Sequence, residues 1–296
     1  MIKKIKNKIN LLIFYVKENL KKIMFSKVIF LGGYSHSSNF GDALNVFFVE
    51  YLGEKRVVHA RFLLFCKPVK VFYVIGSILQ WAKSESIIWG SGFISKKEIL
   101  ISKNLEIFAV RGELSKMKLE KLLVNTTNIS LGDPALLMPL IYNPTIKKKY
   151  KVGIIPHYVD HDNNWFNNLG VKDGSFKIID ILCGSNVKGF IDEVLSCDVI
   201  VSSSLHGLII ADTYNIPSVW VKFSNKLQGG NFKFYDYYSS IKEYNINPVI
   251  INETISLKNV LQKASLKSKN INLKPLIESC PFATEKRKKE LISKLN

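Results

Sequence analysis

Short apolar runs that end in a glycine or a polar residue recur along this chain, separated by stretches long enough to hold a helix. The first half contains "KVIFLGG", "VFYVIGS", "SIIWGSG", "EIFAVRG" and "ISLGD"; the second contains "VGIIPH", "FKIIDIL", "DVIVSSS" and "SVWV". Runs without polar alternation suit strands covered on both faces, which predicts parallel sheets with crossover helices. The stretch "SKVIFLGGYSHSSNFGDALNVFFVEYL" reads as one such unit: a strand over 28 to 31, a Gly/Ser/Asn loop, and a helix entered near Gly41 and Asp42. The polar, proline-containing segment "NPTIKKKYK" divides the two sets of runs as a linker would. The expected architecture is α/β, with two Rossmann-like domains over 27–143 and 150–270 whose parallel sheets face a common cleft. A basic helical tail over 271–296 follows.

Residues 1–26 follow a different pattern. Ile2, Ile5, Ile9, Leu12, Val16, Leu20 and Ile23 recur at helical spacing, and seven lysines stand among them against one Glu. The apolar stretch is too short for a spanning helix, and no small-residue cleavage site marks a signal peptide. Two readings stay open: a basic amphipathic helix lying on an anionic membrane face, or a helix packed on the protein's own surface.

Charge narrows the partners. Lys and Arg number 42 against 24 acidic residues, for a formal net charge of +18, which points to polyanions, anionic lipid or small anionic ligands. Arginine occurs at only four positions, and no nucleic-acid module is recognisable, so nucleic acid is not an expected partner. Cys66, Cys183, Cys197 and Cys280 form no CxxC pair and have no His at metal-ligand spacing. They read as reduced thiols of a cytoplasmic protein with no metal site.

In open α/β sheets ligands bind beyond the carboxyl ends of the strands. The residues there are the Gly32-to-Asp42 loop, the Trp89-containing "WGSG" turn, Arg111, Asp133, His157 and the turn from Ser202 to Gly207. Arg111 suits a phosphate or carboxylate, or equally a local acid such as Glu113. Gly32, Gly33 and Gly41 fit neither a dinucleotide nor a P-loop pattern. Asp133, held extended by the following proline, reads first as a helix cap. In "SSSLHGLI", hydroxyls, an imidazole and backbone N–H groups could converge on one anion at a helix N-terminus, or the serines could simply cap the helix.

The ordered set "NFGDALN", "WGSGF", "AVRGELS", "LGDPALL", "GIIPHY", "SSSLHGLIIADTYNIPS" and "KFYDYYSS" closely resembles bacterial polysaccharide pyruvyl transferases, from about Val28 to Ser240. The resemblance implies two domains in a GT-B-like arrangement. It also implies transfer from phosphoenolpyruvate to a sugar of a capsular or exopolysaccharide, or of its lipid-linked precursor, with release of phosphate and no cofactor. It places Arg111 and His206 at the donor site; Ser202, Ser203, Ser204, Gly207, Asn39 and Gly41 are the further donor-binding residues expected from the loops around them. Some relatives carry Arg where this chain has Ser204, so the missing phosphate contact is sought in Lys222, Lys226, Lys233 or the serine hydroxyls. Protonation of the donor's C3 is assigned to His206, and the sugar base is sought among Asp42, Asp133 and His157. The acceptor is expected near Trp89, Asp133 and Tyr235.

Two rivals share these features. A nucleotide-sugar glycosyltransferase would use the same cleft, although the stretch from Ser202 to Pro217 lacks the glutamates such enzymes often carry there. A non-catalytic protein of the membrane surface would use chiefly the basic ends.

Overall fold

The computed structural model describes residues 2–25, 27–33, 38–64, 68, 70–169 and 175–295. Cys66 therefore lies outside the described residues, as does part of the loop before Asn39.

The first sheet has six parallel strands: β1 (Val28–Leu31), β2 (Arg56–His59), β3 (Phe72–Tyr73), β4 (Ser86–Trp89), β5 (Leu105–Val110) and β6 (Ser130–Leu131). Their order is β2-β1-β3-β4-β5-β6. Its helices are α1 (Ile2–Met24), α2 (Phe40–Gly53), α3 (Glu113–Lys121) and the single turn α4 (Met138–Ile141). The second sheet has five: β7 (Tyr150–Ile155), β8 (Phe176–Ile178), β9 (Cys197–Ser202), β10 (Ser218–Lys222) and β11 (Val249–Ile250), in the order β11-β10-β9-β7-β8, again all parallel. With it come α5 (Val187–Leu195), α6 (Leu205–Thr213), α7 (Phe232–Ser240) and α8 (Leu257–Leu261). The chain ends with α9 (Lys274–Glu278) and α10 (Glu285–Ser293).

Local sequence accounts for these elements. Every residue of β4, "SIIW", is buried, as a strand covered on both faces requires. In α5 the buried residues Val187, Phe190, Ile191 and Val194 fall on one stripe, and Asn186 caps the helix by accepting from the Gly189 N–H. The helix α2 starts at Asn39, whose Oδ1 accepts from the Gly41 N–H, and ends at Glu54 in the left-handed region.

Counted within each unit, the first sheet runs 2-1-3-4-5-6 and the second 2-1-3-4-5, a shared doubly wound order other than the 3-2-1-4-5-6 of the dinucleotide fold. Winding reverses between the first and third strands, so the crevices open beyond β1 and β3 in one unit and beyond β7 and β9 in the other.

The units are packed on one another. A single apolar cluster contains Phe40, Leu44 and Trp89 from the first, and Ile155, Ile200 and Leu208 from the second. Phe40 stacks on Phe190 with ring centroids 4.1 Å apart, and its N–H donates to Ile181 O (2.8 Å). The tail returns to the first unit: Trp89 Nε1 donates to Leu276 O (3.0 Å), and Phe282 meets Phe72 and Trp89 edge-on. The helix α1 packs beside β2 through Phe14, Tyr15, Glu18 and Asn19, whereas its apolar stripe from Ile9 onward is exposed.

Candidate active site

A cavity of about 550 Å³ lies where the two crevices face each other. The first unit contributes Ser38, Asn39, Gly41 and Asp42 from the β1–α2 connection and Gly76, Ser77 and Ile78 from beyond β3. The second contributes His157 and Tyr158 from beyond β7, Ser204 and His206 from beyond β9, Lys226 from the segment leading into α7, and Lys233 from α7 itself. Of the basic residues proposed to replace the missing arginine, Lys226 and Lys233 reach this wall, and Lys222 remains in β10.

His206 sits in the first turn of α6 with its ring against Gly41. A Cβ on Gly41 would lie 2.3 Å from His206 Nδ1, so only glycine leaves room for the imidazole. On the ring's other side, Nε2 is 3.9 Å from Asp133 Oδ2, and both atoms are buried without a hydrogen-bond partner. The other Asp133 oxygen accepts from the Ala135 N–H (3.0 Å), which is the capping role expected from sequence. Burial, reinforced by Asp236 and opposed by the Ala135 N–H and Arg111, pushes the Asp133 pKa up to about 6. Burial, then Lys233 and Arg111, hold His206 down at about 3. Burial, then Arg111, lower the half-buried Lys233 to about 8. At neutral pH the cavity thus presents a neutral imidazole beside an ammonium. A bound anion would raise both pKa values and draw a proton onto the ring.

The serine turn is divided between structure and surface. Ser202 Oγ lies 2.9 Å from Ile155 O and accepts from the Ser204 N–H (3.0 Å). Ser203 Oγ accepts from the His157 N–H (2.8 Å) and faces Asp160 (3.4 Å). Those two hydroxyls build the turn, and of the three serines Ser204 lines the cavity. A Cβ on Gly207 would lie 2.6 Å from Ser202 Oγ, so this glycine lets the helix start close to the strand end. His157 caps a short turn by accepting from the Val159 N–H (3.4 Å), and burial, with Lys233 and His161 adding, lowers it to about 3.

Arg111 occupies a second cluster behind the wall. It is fully buried: Nε donates to Asp236 Oδ2 (2.9 Å), Nη1 to Ser77 Oγ (2.7 Å) and Nη2 to Phe93 O (2.7 Å). Asp236 also accepts from the Ser115 N–H and hydroxyl, at 2.7 and 2.6 Å. A side chain on Gly92 would meet Arg111 and Asp236, and one on Gly112 would lie 1.7 Å from Asp236 O. The motifs "WGSGF", "AVRGELS" and "KFYDYYSS" therefore meet in one buried ion pair, and Arg111 is felt in the cavity through Ser77. Its partner is Asp236 rather than the local acid Glu113, which instead engages Lys242 and Tyr244.

Two residues expected near the acceptor stand elsewhere. Trp89 is completely buried in the core, with its indole N–H held by Leu276. Tyr235 packs on Trp220 and donates to Asn247 Oδ1 (2.9 Å), away from the cavity wall. Sequence reasoning missed Ser77 and Asp236; the signals available were Gly76-Ser77 at a strand end and a lone acid within "KFYDYYSS". Among the described residues no group of three or more His, Cys, Asp or Glu is gathered for a metal ion.

The chain is 32% identical over 219 residues to "Uncharacterized protein L143" of Acanthamoeba polyphaga mimivirus, covering 72% of this chain and 74% of that one. It is 27% identical over 214 residues to "Succinoglycan biosynthesis protein ExoV" of Rhizobium meliloti, covering 69% of this chain and 61% of the relative. A crystal structure of the uncharacterized protein KP1_0663 from Klebsiella pneumoniae aligns over 83% of this chain and 98% of its own, with 14% identity and a TM-score of 0.44. The model of the polysaccharide pyruvyl transferase family matches residues 2–225, a span that takes in α1 and stops before α7. The chain belongs to the polysaccharide pyruvyl transferase family.

Proposed function

We propose that this enzyme transfers the pyruvyl unit of phosphoenolpyruvate to a sugar of an exopolysaccharide or capsular polysaccharide, or of its lipid-linked precursor, forming a cyclic ketal. The observation that carries the reading is His206 at the N-terminus of α6, beside Lys233, in a cleft that both switch points of a family member share. The name of the Rhizobium relative, a succinoglycan biosynthesis protein, supports an exopolysaccharide acceptor. We take the two units as a GT-B-like pair, with donor and acceptor meeting between them.

In this mechanism Lys233, Lys226 and the N–H groups opening α6 hold the donor's phosphate and carboxylate. The donor's charge raises the pKa of His206, and the resulting imidazolium gives its proton to C3 while a sugar hydroxyl adds to C2. A second hydroxyl of the sugar then takes the place of phosphate at C2, which leaves with the C–O bonding pair, and the ketal closes. Asp133, directly behind Nε2, stabilises the imidazolium, as the carboxylate of a triad does. That position removes it from the sugar bases and leaves Asp42 and His157 on the cavity wall. Arg111 holds Ser77 and Asp236 in place.

Phosphate release from phosphoenolpyruvate with a pyruvylatable glycan tests the reading. His206→Ala should lower turnover by about a hundredfold or more, and a folded variant with near-normal rates would remove the residue from the mechanism. Phosphoenolpyruvate should raise the melting temperature of the wild-type protein and UDP should not; stabilisation by UDP alone would favour glycosyl transfer.

A further inference from the structure

The helix α1 is attached to the protein by the wrong face for an ordinary surface helix. Such helices bury their apolar stripe and leave the polar one to solvent. Here Glu18 is the buried residue, 1% exposed, and its carboxylate accepts from the His59 N–H (2.6 Å) and Lys21 Nζ (2.7 Å). Asn19 donates to Phe62 O and accepts from the Leu64 N–H, while Phe14 and Tyr15 meet the Phe62 ring edge-on. At 3.6 residues per turn, Ile9, Leu12, Ile13, Val16, Leu20 and Ile23 fall on the opposite side. They are 52, 65, 46, 51, 48 and 79% exposed. Lys8 and Lys17, both exposed, fall on the two borders of that stripe.

We propose that this outward stripe seats the protein on an anionic lipid bilayer, with the helix in the plane of the interface. The aliphatic residues enter the acyl boundary and the bordering lysines meet anionic headgroups. Charge decides against a second copy as the occupant. Two stripes face to face would bring Lys8 and Lys17 of one chain against those of another, in a protein of net charge +18. Among the described residues no helix is long and apolar enough to cross a membrane, so the contact is peripheral. The buried Glu18 and the Phe14–Phe62 contact make the geometry rigid, so the stripe is presented before any lipid arrives.

Co-sedimentation of the full chain with vesicles tests this directly. Binding to vesicles rich in phosphatidylglycerol should exceed binding to phosphatidylcholine alone and should weaken with added salt. Leu12→Asp with Val16→Asp should reduce it by about a hundredfold or more, while circular dichroism and melting stay unchanged because both side chains are exposed. Lys8→Gln with Lys17→Gln should cost roughly thirtyfold on anionic vesicles. Failure of the wild type to bind anionic vesicles, or binding indifferent to the aspartates, overturns the proposal. So does a dimer, seen by light scattering, that the aspartates dissociate.

Discussion

A methyl group at Gly41 is the smallest change expected to disable the cleft. Its Cβ would stand where the His206 ring stands, so Gly41→Ala should lower phosphate release far more than it lowers stability; kinetics and urea unfolding on one preparation separate the two. Lys233, at about 8, supplies a pH signature. Its ammonium is charged below that value and neutral above it, so affinity for phosphoenolpyruvate should fall as pH rises through about 8. Lys233→Met should weaken binding and flatten that profile, as read by calorimetry. Arg111 carries the opposite expectation. Removing one partner of a buried ion pair costs about 3–5 kcal/mol, so Arg111→Met should show its loss chiefly in unfolding experiments. The sequence made His206 legible because a strand, a turn and a helix start stand in order around it. Asp236 was not legible, since its partner lies 125 residues away and only folding brings them together.

The elements follow their apolar runs closely, because strands covered on both faces leave little ambiguity where they are long. The shortest, β3, β6 and β11, are two residues each, and in the sequence their polar flanks cannot be told from loop. What the pattern could not convey is which element bridges the units. The helix α7 comes from an irregular, aromatic-rich stretch, yet it carries Lys233 into the cavity, Asp236 to Arg111, and Phe234 onto Trp220 with centroids 4.4 Å apart. The start of α2 is a second bridge. Phe40 is fully buried against Phe190, so Phe40→Ala should cost about 3–5 kcal/mol and also loosen the connection that holds Asn39 and Gly41. Hydrogen exchange should then show faster opening of residues 38 to 45 in particular.

At the scale of the molecule, two parallel-sheet units and a shared cleft could be read from the alternation of runs and the linker. The seven motifs could not be sorted from sequence. Folded, they separate into a cavity wall around His206 and a concealed pair around Arg111. The placement of α7 also bears on how the cleft would take up the proposed donor. Pinned by Asp236 to one unit and by Phe234 to the other, the helix works as a tie bar, and the units cannot swing apart without tearing a buried ion pair or a stacked aromatic pair. On the proposed reading, phosphoenolpyruvate enters a slot whose width is set in advance, and little of its binding energy goes into ordering the protein around it. The small-angle scattering profile should accordingly be the same with and without phosphoenolpyruvate, unlike that of an enzyme that shuts like a jaw.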